Sequence, residues 1–303
     1  MHLPRTRLNH IIPALLIAGL LLIAGQAAFA ATTVRLPSSL CGAGAGDALF
    51  TSGFQTQSAI PSTPSGGNGG AVGGNVARSI LVSAVSRTFY LYVPSSYTPT
   101  HPTPLLLALH GTSGSAAASP GAAQTVRSNW SALAESSGFI VLAPAGTQAQ
   151  GGWTPSTDGA IMEAALDDTF ALYNIEQSRI YLWGFSAGAH LAHALALTNT
   201  TYFAAYAVSA GGLTQFACSD TGSPSCTSLL GSAVPKIPVH INLGNTDPLY
   251  TTYGAGNDPT RFTNAGWVLG SNLVYTLFNG GHTYNTAQLP AIWADLCPWA
   301  LAP

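Results

Sequence analysis

The sequence has very little charge. Asp, Glu, Lys and Arg make up 7% of its 303 residues, whereas a typical globular protein has about 25%. Lys236 is the only lysine, and no basic cluster is available to bind nucleic acid. We therefore expect no nucleic-acid partner. Because so few carboxylates are present to titrate, tolerance of acid is one hypothesis.

Cysteine is also scarce. The chain has four cysteines and no C-x-x-C pair, which disfavours a zinc site, and we expect neither a metal nor another cofactor. An even number of cysteines is typical of disulfides in an exported chain, and export is what the N-terminal segment described next predicts. Four cysteines allow three connectivities. Cys218 and Cys226 bracket a short polar loop and are the favoured pair, which leaves Cys41 to pair with Cys297.

A long apolar run stands at the N-terminus. Arg5 and Arg7 precede an apolar segment from Ile11 to Gly25, and Ala28-Phe29-Ala30 follows as an A-x-A cleavage motif. Residues 1–30 are therefore predicted to be a signal peptide, and a membrane anchor is the alternative. We expect a secreted protein, extracellular or periplasmic, without membrane contact after cleavage.

The remaining sequence divides into two parts. Residues 31–78 are rich in Gly and Ser and weakly patterned, which predicts a flexible N-terminal extension. From residue 79 to 303, short apolar or aromatic runs alternate with helical patterns, which predicts one α/β domain. Its sheet should be mostly parallel, with helices on both faces. The expected strands are 80–84, 88–93, 105–109, 139–143, 180–183, 203–209, 239–243 and 273–278, and the expected helices are 126–136, 161–173, 187–198 and 288–301.

The candidate nucleophile lies in a turn between a predicted strand and a predicted helix. Ile180–Trp183 predicts a buried strand and Ala187–Thr198 a helix, with Gly184-x-Ser186-x-Gly188 between them. A turn this tight leaves no room for side chains two residues either side of the serine. The helix N-terminus favours developing negative charge. This pattern predicts the nucleophile elbow of an α/β-hydrolase fold, and a purely structural Gly/Ser turn is the alternative.

A serine nucleophile needs a base, and the base needs an orienting carboxylate. The chain order in this fold is serine, acid, histidine. Of the histidines after Ser186, His282 lies in a Gly-flanked loop beyond the last strand and is the predicted base. Asp247, just past the end of its strand, is the predicted acid, with Asp220 as the alternative.

The other histidines after the serine fit the role of base less well. His190 and His193 lie on the elbow helix, and we expect this pair to pack rather than to bind a metal. His240 falls inside a predicted strand, where a side chain cannot hang over the elbow.

An acyl-transfer site also needs donors for the oxyanion. The predicted donors are the backbone N–H of Ala187 and the loop after the Leu105–Leu109 strand, at Thr112. His110, directly before this loop, is assigned to the substrate-binding edge of the site, where we expect it to brace the loop by hydrogen bonding.

The motifs together resemble those of the polyhydroxybutyrate depolymerase-like esterases, a group that includes feruloyl and acetyl xylan esterases of carbohydrate esterase family 1. The resemblance covers about residues 79–290 and rests on Arg87–Pro94, Leu109-His110-Gly111, Tyr173–Gly188, Asp247-Pro248 and Gly281-His282-Thr283. It implies a serine esterase with nucleophile Ser186, acid Asp247 and base His282, an oxyanion loop at Thr112, and Trp153 lining the acyl pocket.

One departure from this group concerns cysteine. No cysteine adjoins Ser186 or His282, so the disulfide-linked triad of tannase-like feruloyl esterases is absent.

We expect a monomeric esterase acting on feruloyl or acetyl esters of plant polysaccharide, or on short polyesters. The alternatives are a non-catalytic binding or surface protein on a hydrolase scaffold and a serine peptidase.

Overall fold

A computed structural model describes residues 32–36, 41 and 62–302. The strands are β1 (Thr32–Arg35), β2 (Gly74–Val82), β3 (Val85–Val93), β4 (Thr103–Leu109), β5 (Ile140–Pro144), β6 (Ile175–Phe185), β7 (Ala205–Ser209), β8 (Val239–Gly244), β9 (Leu273–Phe278) and β10 (Trp299–Ala302). The helices are α1 (Ser119–Ser137), α2 (Pro155–Leu172), α3 (Ala187–Thr198), α4 (Cys226–Ser232), α5 (Pro248–Thr251), α6 (Asp258–Asn264) and α7 (Leu289–Leu296).

The central sheet has eight strands in the order β2-β3-β5-β4-β6-β7-β8-β9. Strand β3 runs antiparallel to both neighbours, and the other adjacent strands are parallel pairs. The run Leu105–Leu109 in β4 is fully buried, as a continuous apolar run in a central parallel strand should be. The predicted α/β class with a mostly parallel sheet is confirmed.

Helices cover both faces of this sheet because its strands are apolar on both sides. One face packs against α2 and α3 through side chains such as Leu166 and Leu195. The other face packs against α1 and α7, where Trp130 and Trp293 are buried. The carboxyl ends of the parallel strands are thereby left free to carry loops.

The N-terminal edge of the domain lies earlier than Ser79, where the sequence pattern places it. Strand β2 begins at Gly74 and pairs with β3 along its whole length. Residues before it also join the sheet: the Thr63 carbonyl accepts from the Gln177 N–H at 3.0 Å, and the buried Glu176 carboxylate accepts from the Thr63 N–H at 2.9 Å. These contacts are made by the backbone N–H and carbonyl of Thr63. Amino-acid composition does not indicate backbone hydrogen bonds, so the sequence did not predict them.

The C-terminal end also differs from the expectation of one helix over 288–301. Helix α7 ends at Leu296, and β10 then pairs antiparallel with β1. Pro298 intervenes, and proline cannot donate the hydrogen bond that would continue the helix. The described chain contains the disulfides Cys41–Cys297 and Cys218–Cys226, which are the two pairs favoured from the sequence.

The predicted signal peptide, residues 1–30, lies outside the residues that the structure describes. Across those described residues, no helix combines the length and the apolar character that crossing a membrane requires.

Candidate active site

Ser186 occupies the turn between β6 and α3. Its backbone has φ 53° and ψ −119°, a strained conformation for a residue with a side chain. The surrounding hydrogen bonds hold it there. The Ser186 N–H donates to the Ser209 carbonyl of β7 at 3.0 Å, and the Ser186 carbonyl accepts from the Ala189 and His190 N–H groups at 2.9 and 3.0 Å. The serine is therefore fixed by the neighbouring strand and by the first turn of the helix.

The two flanking glycines allow this turn to be so tight. A Cβ added to Gly184 would lie 2.2 Å from the Gly188 carbonyl oxygen, and one added to Gly188 would lie 2.4 Å from the Leu109 carbonyl oxygen. Both distances are far below van der Waals contact with backbone atoms that cannot move away. The strand, the helix and the end of β4 can approach one another only without these side chains.

We expect Gly184→Ala to destabilise the protein by about 3 kcal/mol or more, because a clash with backbone must shift the helix. Gly121→Ala is the matched control: it lies in α1, nothing lies within 4 Å of its added Cβ, and alanine favours the helix by up to about 1 kcal/mol. Urea unfolding of both variants measures the difference. Equal stabilities of the two variants would contradict this account of the turn.

Ser186, His282 and Asp247 come together at the carboxyl ends of their strands. Ser186 Oγ lies 2.8 Å from His282 Nε2, and His282 Nδ1 lies 2.9 Å from Asp247 Oδ2. The Asp247 side chain is fully buried and the His282 side chain is 39% exposed. A carboxylate facing Nδ1 favours the tautomer with the proton on Nδ1, which leaves Nε2 to accept the proton of the serine hydroxyl.

The loops that carry the acid and the base are bonded to each other. Asp247 Oδ1 accepts from the Leu249 N–H at 2.8 Å, which caps α5. The Thr246 N–H donates to the Gly280 carbonyl at 2.9 Å, and Asn245 Oδ1 accepts from the Gly280 N–H at 3.2 Å. The positions of the aspartate and the histidine are therefore set together.

Asp220, the alternative acid, lies elsewhere. Its carboxylate is bonded to Arg261, with Nε 3.1 Å from Oδ1, and its side chain is 54% exposed. The Arg261 guanidinium lowers the pKa of this carboxyl. The structure thus assigns Asp220 to a surface ion pair and not to the neighbourhood of His282.

The loop predicted to hold the oxyanion lies beside Ser186. A Cβ built on Gly111 would lie 3.0 Å from Ser186 Cβ, and Thr112 follows it at the surface. Ala187 is the first residue of α3, where backbone N–H groups have no partner within the helix. Gly111 therefore lies next to Ser186, and the N–H of Ala187 and the loop at Thr112 stay predictions for the oxyanion donors.

Comparisons with solved structures identify the fold. A ferulic acid esterase superposes with a TM-score of 0.57 at 15% identity, covering 74% of this chain and 96% of that chain. An S-formylglutathione hydrolase from Agrobacterium tumefaciens gives 0.53 at 18% identity, covering 75% and 97%. This chain has the α/β-hydrolase fold. At such identities the likeness concerns the fold alone.

Comparisons of sequence show that this chain is similar to esterases over part of its length. The BD-FAE family model matches residues 90–211. The bifunctional acetylxylan esterase/xylanase XynS20E of Neocallimastix patriciarum is 35% identical over 104 residues, which are 34% of this chain and 14% of that protein. Poly(3-hydroxyalkanoate) depolymerase C of Paucimonas lemoignei is 33% identical over 140 residues, 41% of this chain and 32% of that protein. The resemblance to the polyhydroxybutyrate depolymerase-like esterase group is confirmed, although the matches span a third or less of either relative.

His110 and Trp153, both assigned to substrate binding, are buried. Their exposed fractions are 1% and 4%. Trp153 Nε1 donates to the His110 carbonyl at 2.8 Å, and His110 Nε2 accepts from the Gly146 N–H at 3.0 Å. His110 Nδ1 lies 2.6 Å from the Gly111 carbonyl. Burial also lowers the pKa of His110. The ring bonds to the loops at Gly111 and Gly146, as expected of a brace, and almost none of its surface is available to a substrate.

The histidines of α3 are separately bonded, and His193 is buried whereas His190 is half-buried. His190 Nδ1 lies 3.0 Å from the Gly212 nitrogen, and His193 Nδ1 lies 3.1 Å from the Tyr206 hydroxyl. Burial lowers the pKa of His190 to about 4 and that of His193 to about 3. Over the part of the chain that the structure covers, no group of three or more potential metal ligands is present.

Sequence reasoning missed the aromatic residues around His282. The Phe185 ring lies 5.6 Å from the His282 ring and 4.7 Å from the Tyr284 ring. Phe185 precedes Ser186, and Tyr284 follows His282 by two residues, so their positions next to the motifs were the available signal. Asn129, which contacts Tyr284, carried no signal because it lies in a helix far away in the chain.

Proposed function

We propose that this α/β-hydrolase is a secreted serine esterase that cleaves carboxylic esters through Ser186, His282 and Asp247. The observation that carries the proposal is the continuous hydrogen-bonded series from the Ser186 hydroxyl through the imidazole to a buried carboxylate, with distances of 2.8 and 2.9 Å. Such a series converts a weak hydroxyl nucleophile into a reactive one near neutral pH.

The acylation step follows from these positions. Ser186 Oγ attacks the ester carbonyl carbon while His282 Nε2 takes the hydroxyl proton, and Asp247 stabilises the resulting imidazolium. The carbonyl oxygen becomes an oxyanion, which the N–H of Ala187 and the loop at Thr112 would bind. The tetrahedral intermediate then breaks its bond to the alcohol oxygen, which receives the proton from His282.

Deacylation repeats these steps with water. His282 Nε2 takes a proton from a water molecule as its oxygen attacks the acyl carbon of the acyl-serine. The second tetrahedral intermediate breaks the bond to Ser186 Oγ, and His282 returns the proton to that oxygen. The products are a carboxylic acid and an alcohol, and the enzyme is regenerated.

The substrate class within this proposal is a feruloyl or acetyl ester of plant polysaccharide or a short polyester. Two observations support esters carried on large molecules. The relatives in sequence are named as an acetylxylan esterase/xylanase and a poly(3-hydroxyalkanoate) depolymerase. The His282 side chain and Thr112 are exposed, so the serine lies near the surface. Secretion is part of the proposal, because two disulfides suit an oxidising compartment.

The test compares ester classes on one purified protein. We expect release of p-nitrophenol from acetate and butyrate esters and covalent labelling of Ser186 by a fluorophosphonate. Methyl ferulate, acetylated xylan and oligomers of 3-hydroxybutyrate distinguish the substrate classes, and an alanine p-nitroanilide tests for peptidase activity. Absence of both ester turnover and serine labelling would contradict the proposal and favour a non-catalytic binding protein.

A further inference from the structure

Tyr284 links the strand that carries the serine to the loop that carries the histidine. Its ring lies edge-on to Trp183, with ring centroids 5.1 Å apart and an interplanar angle of 74°. It also packs against Phe185 at 4.7 Å. Trp183 and Phe185 belong to β6, directly before Ser186, and Tyr284 follows His282 by two residues. The ring therefore sets the distance between these two parts of the site.

A hydrogen bond from a third element holds this ring. Asn129 Nδ2, on α1, donates to the Tyr284 hydroxyl at 2.6 Å, and the two residues are 155 positions apart in the chain. Burial raises the pKa of the Tyr284 phenol, so the hydroxyl stays neutral. The bond fixes the far end of a side chain whose ring already has two aromatic neighbours.

The base needs this support on its C-terminal side. His282 is 39% exposed and follows two glycines, Gly280 and Gly281, whose backbone is permissive. On the N-terminal side, Gly280 is bonded to Thr246 and Asn245. On the C-terminal side, Tyr284 is the first residue whose side chain is anchored to the sheet. Displacement of a catalytic group by about 1 Å can cost about 100-fold in rate.

We propose that Tyr284 and Asn129 are positioning residues that hold the His282 imidazole within hydrogen-bonding reach of Ser186. The inference rests on the proposed serine esterase function. The side chains act through the loop and contact neither the ester nor the reacting atoms. Because they share one hydrogen bond, loss of either partner should have the same consequence.

The single variants Tyr284→Phe and Asn129→Ala should each lower kcat for p-nitrophenyl butyrate about three- to tenfold with little change in KM. The double variant should be no slower than the worse single one, because both substitutions remove the same bond. Tyr284→Ala also removes the ring and should cost about 100-fold. The rate at which a fluorophosphonate modifies Ser186 should fall in parallel, since that reaction needs the same base.

The matched control is Tyr92→Phe, which removes a phenol bonded to Glu135 at 2.8 Å near the other end of α1. All variants are compared by melting temperature, kcat, KM, fluorophosphonate rate and the downfield proton resonance of His282 Nδ1–H. We expect Tyr92→Phe to change only the melting temperature. Tyr284→Phe and Asn129→Ala should in addition slow both reactions and shift or broaden the resonance.

Failure of the positioning inference and failure of the esterase proposal give different results. If Tyr284→Phe and Asn129→Ala behave like Tyr92→Phe, with lower melting temperature but unchanged rates and resonance, their role is structural and the inference is wrong. If the wild-type protein neither hydrolyses esters nor reacts with the fluorophosphonate, the esterase proposal fails. The His282 resonance then still decides whether the two residues position the imidazole.

Discussion

Ser186→Ala should lower kcat for p-nitrophenyl butyrate by about 10⁴-fold or more, with little change in fold. In the proposed mechanism, the variant removes the atom that forms a bond to the acyl group, while the binding site and the oxyanion donors remain and leave a residual rate. Titration of active sites by a fluorophosphonate, together with steady-state rates, measures the effect. Ser136→Ala is the control, because this serine is exposed on α1 and its hydroxyl donates to the Leu133 carbonyl.

The acid of the proposed series can be tested in the same assay. Asp247→Asn keeps the shape of the side chain, but an amide at this position no longer favours the proton on His282 Nδ1. The expected loss in kcat is about 10³- to 10⁴-fold. Wild-type rates in Ser186→Ala would show that another nucleophile acts and would overturn the assignment of the turn. Wild-type rates in Asp247→Asn would be compatible with Ser186 as the nucleophile but would contradict a catalytic role for the Asp247 carboxylate.

The second large effect is loss of stability in acid. Burial lowers the pKa of His193 to about 3, whereas the unfolded side chain titrates near 6.5. Between about pH 3 and 6.5, therefore, the His193 side chain binds a proton in the unfolded state but not in the folded state. The stabilisation is complete above pH 6.5 and is lost as the pH falls toward 3, by about 4–5 kcal/mol in total. His190, whose pKa is lowered to about 4, adds a loss of the same sign.

Two buried carboxyls act in the opposite direction, because burial raises the pKa of both Asp158 and Asp258. Burial raises the pKa of Asp258 to about 6, so between about pH 4 and 6 the folded state binds the extra proton and stability falls as the pH rises. Arg261 Nη1 lies 2.7 Å from Asp258 Oδ1, and this ion pair stabilises the charged carboxylate and so reduces the loss of stability. The lowered pKa values of His110, His190 and His193 oppose the raised ones of Asp158 and Asp258. The histidines therefore work against the acid tolerance that a shortage of carboxylates suggested.

Urea unfolding between pH 3 and 7 tests these signs. His193→Leu should reduce the rise of unfolding free energy with pH over this interval, even if its absolute stability falls because the Tyr206 hydroxyl loses its partner. Asp258→Asn is the counterpart and should make the rise steeper between about pH 4 and 6. If His193→Leu retains the wild-type slope, the buried histidine is not the source of the pH dependence.

Local patterns in the sequence were sufficient for the fold class and for the candidate site. Leu105–Leu109 predicted a central strand because only a strand buried on both faces is apolar at every position. Gly184, Ser186 and Gly188 predicted the turn because steric crowding there depends on a few consecutive residues. Asp247 and His282 were chosen to accompany Ser186 from the chain order of the fold and from their positions past the ends of predicted strands, which meet at one edge of a parallel sheet.

Contacts between distant segments were decided by the tertiary structure. Residues 62–78 join the domain because their backbone groups pair with β3 and β6, and composition does not report backbone pairing. Trp153 and His110 are buried where their loops bond to each other. The expected bracing by His110 is present, whereas the expected substrate contacts of both residues are not available at a buried position. The bond between Asn129 and Tyr284 exists only once a helix and a loop 155 positions apart pack together. A single sequence carries no local signal for such a pair, because neither residue is required by its own neighbours.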